Sequence, residues 1–507
     1  MKKPVKLFYL IIAGGAAFNW LFWHEKPGIN TLLFDVFVCI SAFIIFPYAS
    51  RSKATIWIFG CHLFSAAMLL INNTLISEIS FSVTLLLFVS CLQFTHRSLW
   101  YAAGSSILNY LLVIPNFIHG LGTLMPEASE AKERSGFRML LIPLVILVAF
   151  GAIYAGANGV FLNLINNVSG NIVDWFQDFF KWFSFARILF FLLGIFITGG
   201  LLLKSKTFFS NLDLHAKNDL TRNKSHFKRW LESPFSDIMH IIIGKRATGV
   251  LALKNEYFIG TASLALLNLL LLFINAIDIK YIWLGYIFNN IASVSEFVHA
   301  GTGMLILSIV LAMLLLLFFF RGNINFYTRN KWVKNVAYLW IVQNLFLTLS
   351  VLNRDYYYIS HYGLAYKRIG LLFFLLMVIS GLISIFLKIY FRKTVYYLLR
   401  LNAWVGLSLL VSATCVDWDI TIAQYNISRS NEIPLDVPFL LSLSDNVLPI
   451  IEENKNVLKA PSDLGAFEQR KKHFFEKQTA YTWLSWNVSD NRIKNQLTKT
   501  NQLSNLK

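Results

Sequence analysis

The sequence predicts an all-α fold: a polytopic bundle of about 11–12 transmembrane helices with a small, mostly helical C-terminal polar domain. Of the 507 residues, 56% are hydrophobic and only 14% are charged, whereas a soluble domain carries roughly 25% charged residues. The charges cluster between long apolar runs, as a bilayer requires. Aromatic residues such as Trp20, Trp23, Tyr281 and Trp283 lie near the ends of these runs, which is typical of the membrane interface.

The individual spans follow from run length, because a helix needs about 20 apolar residues to cross the hydrocarbon. The predicted segments are 5–23, 29–48, 54–72, 79–95, 99–118, 139–157, 186–203, 257–277, 302–320, 335–352, 369–388 and 395–415. The strongest is 302–320, which is Leu-rich and uncharged. The weakest is 99–118, which contains Gly, Ser, Asn and Pro residues.

The basic residues predict the orientation. Lys2, Lys3 and Lys6 place the N-terminus in the cytoplasm, and the strongly basic segment 204–254 belongs on the same side. An even number of crossings must then separate them, yet seven segments precede the basic loop.

Two segments resolve this conflict. Segment 171–183 has one polar and one apolar helical face, which predicts a helix lying in the interface. We therefore expect 99–118 to be re-entrant or half-inserted, because its polar residues need protein or water around them. The loops 278–303 and 353–368 and the chain after Cys415 then lie on the outer face.

The predicted organisation has five parts. They are N-terminal transmembrane helices (1–137), transmembrane helices with the interfacial helix 171–183 (138–203), a basic cytoplasmic loop (204–254), C-terminal transmembrane helices (255–415) and an extramembrane segment (416–507).

The net charge of +18 favours membrane topology over nucleic-acid binding. The basic residues flank hydrophobic runs and form no separate basic domain. We expect the lipid bilayer as partner, with anionic lipids at the basic loop, and no nucleic acid. The four cysteines lie in apolar segments without a Cys-x-x-Cys pair, so neither a disulfide framework nor a zinc knuckle is predicted.

The first candidate site is the pair Glu296 and His299. They are three residues apart and share a helical face, so they could relay protons or supply two metal ligands. The alternative is a structural role, in helix capping or in a hydrogen bond to a neighbouring helix. The sequence identifies no further ligands, so no metal and no cofactor is predicted.

The second candidate site is the segment 353–368, where charged groups lie among tyrosines. The charged or titratable residues are Arg354, Asp355, His361, Lys367 and Arg368. Arg and Lys beside Tyr rings suit an anionic headgroup, a phosphate or a glycan. A short loop with interfacial Tyr anchors is the alternative.

Three stretches carry a family resemblance: Glu296-Phe-Val-His-Ala-Gly-Thr-Gly, Tyr362-Gly-Leu-Ala-Tyr-Lys-Arg, and Asp417 followed by Ile422-Ala-Gln-Tyr-Asn. They resemble a family of bacterial multi-pass membrane proteins described only as a domain of unknown function. The resemblance covers much of the chain from about residue 140 onward. It implies a location in a bacterial cytoplasmic (inner) membrane, but it does not imply any particular reaction.

Common motifs are missing from the sequence: a phosphate loop, His-Glu-x-x-His, Gly-x-Ser-x-Gly and regularly spaced arginines. This argues against a nucleotide-driven pump, a common zinc protease, a serine hydrolase and a voltage sensor. The sequence predicts a multi-pass integral membrane protein whose molecular function it does not identify, with a transport-related function as the first hypothesis. The alternatives are a membrane-embedded enzyme acting on a lipid or lipid-linked glycan, and a sensor or assembly factor.

Overall fold

The computed structural model describes residues 3–47, 52–124, 185–204, 208–221, 252–284 and 294–504, with scattered positions between 143 and 161. Most of the predicted span 139–157, the interfacial helix 171–183 and most of the basic loop lie outside the described residues.

The regular structure in the described ranges is helical. Seven described helices are long and apolar enough to cross a membrane: Val5–Phe22, Lys53–Asn72, Leu75–Phe94, Leu253–Trp283, Lys331–Tyr362, Tyr366–Tyr390 and Val395–Ala413. Three shorter apolar helices match other predicted spans: Ile29–Ile45, Ala186–Leu202 and Gly303–Phe319. The prediction of an all-α multi-pass membrane protein is confirmed.

The chain divides into two compact units. The first contains residues 1–51, 105–206 and 481–485. Its helices are α1 (Lys3–Phe22), α2 (Ile29–Ile45), α6 (Val113–Leu124) and α7 (Phe185–Leu202), together with the C-terminal part of α5 (Leu99–Leu111). Helices α1 and α7 approach each other closely at glycines. A Cβ added at Gly194 would lie only 2.7 Å from the Cβ of Phe18 and 3.1 Å from the Cα of Gly15.

The segment 99–118 forms two successive helices, α5 and α6, that meet at Leu112. Each has 13 or fewer residues, which is too short to cross a bilayer alone. Ser105, Ser106 and Asn109 are buried, and the Tyr110 hydroxyl donates to the carbonyl of Ile197 in α7. A re-entrant or half-inserted segment stays a prediction.

The second unit contains residues 52–104, 207–480 and 486–507. Its membrane helices are α3 (Lys53–Asn72), α4 (Leu75–Phe94), α9 (Ala252–Asp278, extended by a π-helical turn Ile279–Trp283), α10 (Val294–Phe319), α11 (Lys331–Tyr362), α12 (Tyr366–Tyr390) and α13 (Val395–Ala413). A short helix, α8 (Phe208–His215), belongs to the same unit.

Helices α9 and α11 run parallel, as the hydrogen bonds between them show. Three side chains of α9 and its π-helical turn donate to α11 in ascending order: Asn268 Nδ2 to Val336 O, Asn275 Nδ2 to Gln343 O, and Trp283 Nε1 to Ser350 Oγ. The partners advance by about two helical turns at each step. We call this contact the α9–α11 seam.

Helix α10 runs antiparallel to this pair. Phe319, at its C-terminal end, lies 3.1 Å from the position of a Cβ on Gly260, near the start of α9. Lys388, near the end of α12, is buried and donates from Nζ to the carbonyl of Phe320 at 2.8 Å. A cation at a helix C-terminus is favourable. The first turns of α10 therefore lie at the end of the bundle where α9 and α11 end.

The C-terminal polar domain is small and helical, as predicted. It comprises α14 (Trp418–Ser428), α15 (Val437–Ser442), α16 (Leu448–Glu453), α17 (Pro461–Ala480) and α18 (Val488–Ser504). Its apolar core includes Ile422, Val447, Phe467 and Leu497, and extends to Ile369 in α12. We call the end of the bundle that meets this domain the cap-side end.

Polar contacts attach the domain to α3. Asn446 Nδ2 donates to the carbonyl of Asn72 at 3.2 Å and to Asp417 at 2.6 Å, and Ser489 donates to Asn446 Oδ1 at 2.9 Å. Asn72 itself donates to the carbonyl of Thr414 at 2.7 Å. These bonds fix the domain against the end of α3.

Candidate functional site

A buried ion pair joins α9 and α11 near the cap-side end. Arg354 Nη2 donates to Asp278 Oδ1 at 2.6 Å, and both side chains are almost fully buried. Helix α11 has 32 residues and is therefore about 48 Å long, against about 30 Å of hydrocarbon. Because α11 is longer than the hydrocarbon is thick, and Arg354 lies in its last third, we expect the ion pair near the membrane interface.

Asp355 follows Arg354 and is also buried, at 3% exposed. Its Oδ2 accepts no hydrogen bond within the described part of the chain. Asp355, Tyr358 and Tyr362 lie on one face of α11, because they follow i, i+3, i+7 spacing. The guanidinium of Arg368 lies 4.3 Å from the centre of the Tyr358 ring, so Arg368 lies beside this face.

The turn between α11 and α12 depends on a glycine and an asparagine. Gly363 has φ +78°, a conformation that glycine adopts without cost. Asn426 of α14 accepts from Leu364 N at 2.6 Å and donates to Leu364 O at 2.9 Å. A Cβ on Gly363 would lie 2.5 Å from Asn426 Oδ1. The close approach of α14 to the turn therefore requires glycine here.

A cavity of about 220 Å³ lies between this turn and the C-terminal domain. It is lined by Tyr362, Gly363, Leu364, Ala365, Arg368, Asn426, Ile433, Pro434, Leu435, Asp436 and Phe439. We call it the Arg368 pocket.

The polar groups of the Arg368 pocket are fixed in place. Arg368 Nη1 donates to the carbonyls of Tyr362 and Gly363, and its other N–H groups make no hydrogen bond within the described ranges. Asp436 accepts from Phe439 N at 3.0 Å and so caps α15. The pocket therefore offers guanidinium donors to a ligand, and the carboxylate of Asp436, which caps α15, also lines it.

The predicted residues of segment 353–368 have different positions. Arg354 and Asp355 are buried, and Arg368 lines the pocket. His361 and Lys367 are exposed, and His361 Nδ1 lies 2.9 Å from the carbonyl of Tyr357. The sequence predicted a loop here, whereas the structure continues α11 to Tyr362 and places the turn at 363–365.

Glu296 and His299 lie in the first two turns of α10, which begins at Val294. The antiparallel course of α10 places their backbone at the cap-side end. Their side chains lie outside the described residues, so their joint role stays a prediction.

Three polar residues of the site were missed by sequence reasoning: Asp278, Asn426 and Asp436. An acidic residue at the end of an apolar run was a usable signal for Asp278, because such a group requires a partner. Asn426 lies in a stretch that carries the family resemblance. Nothing in the sequence around Asp436 distinguishes it from other helix caps.

A second polar cluster lies at the opposite end of α12 and α13. The Asp213 carboxylate accepts from Arg97 N at 2.6 Å, Ser98 N at 3.3 Å and the Tyr396 hydroxyl at 2.6 Å, and lies 3.2 Å from His96 Nδ1. Burial raises the pKa of Asp213, but the hydrogen bonds from His96, Tyr396 and the two amides together lower it below its ordinary value. All these groups satisfy one another, so we interpret the cluster as structural.

Further hydrogen bonds at this end of the bundle anchor the first part of the predicted basic loop. Within 208–221, Leu220 N donates to the carbonyl of Arg392 at 2.9 Å, and Thr394 donates to the carbonyls of Lys217 and Asn218. This part of the loop lies against the α12–α13 turn. The remainder lies outside the described residues.

An apolar groove of about 380 Å³ lies between α9, α10 and α11. It is lined by Leu267, Leu270, Leu271, Ile274, Leu305, Ser308, Leu311, Ala312, Leu315, Trp340, Asn344 and Leu347. Trp340 is 7% exposed, and its indole N–H has no acceptor in the described part of the chain. The groove lies within the apolar stretches of these helices.

A family model described as "Domain of unknown function (DUF4153)" matches residues 11–454. No curated protein and no solved structure matches the chain. The family description names no substrate, so the chemistry must be argued from the site.

Proposed function

The chain belongs to the family described as a domain of unknown function, DUF4153, and we propose that it binds the phosphate-bearing headgroup of a membrane lipid or lipid-linked carrier. The Arg368 pocket carries this proposal. It brings a tyrosine, an amide and the Arg368 guanidinium to a cavity at the membrane edge. Some N–H groups of this guanidinium make no hydrogen bond within the described part of the chain. Arg is well suited to phosphate, because its planar fork can donate two hydrogen bonds at once.

The apolar groove supports the same function. A lipid needs a site for its chain as well as for its headgroup, and the groove lies among membrane-crossing helices. This favours a lipid over a small soluble phosphate compound.

The enzyme hypothesis adds a step to this proposal: a reaction at the bound lipid headgroup. A reaction at a lipid headgroup needs acid–base groups near it, and α10 brings the backbone of Glu296 and His299 to the cap-side end. The transport hypothesis is favoured by a separate feature of the α9–α11 seam. Three buried side-chain oxygens there accept no hydrogen bond within the described part of the chain: Asn268 Oδ1, Asn275 Oδ1 and Gln343 Oε1.

We also propose that the cap-side end lies on the outer face of a bacterial cytoplasmic membrane, with the N-terminus inside. Basic residues at the opposite end of α12 and α13 support this, since Arg97, Arg392, Lys393 and Arg400 all lie there. Such residues are enriched on the cytoplasmic side, where they would meet the anionic lipids expected at the basic loop.

Titration of the purified full-length protein with short-chain phosphatidylglycerol, followed by native mass spectrometry, tests headgroup binding. Arg368→Gln should weaken binding by about 10- to 100-fold, because a charge-assisted hydrogen bond contributes about 1.5–3 kcal/mol. Lys367→Gln is the matched control, since Lys367 is the neighbouring cation but is exposed and outside the pocket. Equal binding by all three proteins would contradict the proposal, and so would equal losses in the two variants.

A further inference from the structure

Three side-chain oxygens on the α9–α11 seam have no hydrogen-bond donor within the described part of the chain: Asn268 Oδ1, Asn275 Oδ1 and Gln343 Oε1. All three residues are at least 93% buried. They lie at the level of the membrane, in helices that are apolar enough to cross it.

The orientation of the two asparagine amides is set by their neighbours. Asn268 Nδ2 donates to the carbonyls of Leu264 at 2.7 Å and Val336 at 3.0 Å, and Asn275 Nδ2 donates to the carbonyl of Gln343 at 3.2 Å. Rotating either amide would place its oxygen against a carbonyl oxygen. The unpartnered atoms of these two asparagines are therefore oxygens, which accept.

Leaving these oxygens without donors would be costly. A buried acceptor without a donor costs about 1–3 kcal/mol, and three such groups occur on one contact between two helices. Leucine or valine would pack there without this cost. Something outside the described side chains must therefore donate to them.

Charge indicates which donor fits. The amides are neutral, and the carboxylate of Asp278 is neutralised by Arg354. A cation would lose its hydration without gaining a counter-charge, which is unfavourable in the membrane. An anion would face acceptors only. Water needs two to four polar partners and loses at most about 2 kcal/mol on immobilisation, so water fits best.

The positions of these oxygens define a path along one face of α9. Asn268 and Asn275 are two turns apart on one face of α9, and Asp278 follows one turn later with its Oδ2 also unpartnered in the described ranges. Ten residues of helix span about 15 Å, half of the hydrocarbon. Beyond Asn268 the seam is closed by fully buried apolar residues, Leu264 and Ala337 among them.

We propose that the α9–α11 seam is a hydrated half-channel. A file of water molecules is held by Asn268, Asn275 and Gln343, opens at the cap-side end beside Asp278, and ends at Leu264. Its role is to bring water and protons to the middle of the membrane. This activity does not depend on headgroup binding at the Arg368 pocket.

Substituted-cysteine labelling of the full-length protein in liposomes tests the proposal. In a chain whose four native cysteines are replaced by serine, Asn275→Cys and Gln343→Cys are treated with methanethiosulfonate ethylammonium. Leu272→Cys is the matched control, because Leu272 lies on α9 within a turn of Asn275 but is 60% exposed to the membrane side. Thiols react as thiolates, which form only where water is present.

The two seam cysteines should react at least about tenfold faster than Leu272→Cys. Rates as slow as that of the control would overturn the proposal. If a seam variant fails to fold, hydroxyl-radical footprinting of the unmodified protein tests the same proposal. Oxidation in the peptide 264–278 supports bound water, and its absence there contradicts the half-channel.

Discussion

The hydroxyl of Tyr396 donates a 2.6 Å hydrogen bond to the carboxylate of Asp213. This bond joins the first turn of α13 to α8, and the same carboxylate holds the α4–α5 turn through the amides of Arg97 and Ser98. One buried acid thus connects three segments that are far apart in sequence, and its removal has a predictable cost.

Asp213→Ala should lower the free energy of unfolding by about 3–5 kcal/mol, because several buried donors lose their acceptor together. Asp219→Ala is the matched control. Asp219 pairs with Lys393, but its carboxylate is 68% exposed, so we expect a loss of about 0–1 kcal/mol. Thermal unfolding in detergent, followed by tryptophan fluorescence, measures both. Similar losses in the two variants would show that Asp213 does not connect these segments.

The lowered pKa of Asp213 predicts a pH dependence. A carboxyl whose pKa is lower in the folded state stabilises the fold above its unfolded pKa of about 3.9. That stabilisation is lost as the pH falls through the folded value. The difference in melting temperature between the unmodified protein and Asp213→Asn should therefore be largest near neutral pH and shrink below about pH 4. A difference that grows on acidification would contradict the assignment.

The Asp278–Arg354 pair should behave as a buried unit. Arg354→Met leaves a buried carboxylate without its partner and should cost about 3–5 kcal/mol. Adding Asp278→Asn removes that charge and should recover most of the loss. Chemical denaturation of both single variants and the double variant gives the coupling energy. Additive losses would mean that the two residues act independently.

Gly363→Ala should distort the Arg368 pocket. It forces a side chain onto a positive φ and places a Cβ 2.5 Å from Asn426 Oδ1, so we expect a loss of about 1–3 kcal/mol and weaker headgroup binding. Gly370→Ala, seven residues later in α12, meets nothing within 4 Å and should leave both unchanged or slightly improve stability. Differential scanning fluorimetry with and without lipid compares them. Unchanged lipid binding in Gly363→Ala would show that headgroup binding does not depend on the geometry of this turn.

Hydropathy predicted the membrane helices because the bilayer selects for apolar runs, but it located their ends poorly. Segment 335–352 is the apolar middle of a helix that runs from Lys331 to Tyr362. The polar turns beyond the hydrocarbon stay helical, and hydropathy does not report helicity there. The parallel course of α9 and α11 could not be predicted either, since it is shown by side-chain hydrogen bonds between residues 67 and 68 positions apart.

The candidate site was predicted in part. Arg368 was named from its charge among tyrosines, and it lines the pocket. His361 and Lys367 were named on the same grounds but lie outside the pocket. The composition of a segment does not show which of its side chains point toward a cavity and which toward solvent. Asn426 reaches the site from 62 residues away, a pairing that no local pattern encodes.

The position of a bound lipid headgroup tests the central claim most directly. Reconstituted protein is incubated with a phospholipid that carries a photoreactive diazirine in its headgroup, irradiated, digested and mapped by mass spectrometry. We expect crosslinks to the stretches 362–368 and 433–439, and we expect them to be lost in Arg368→Gln and retained in Lys367→Gln. Crosslinks spread evenly over the interfacial ends of the helices, and unchanged by Arg368→Gln, would contradict it.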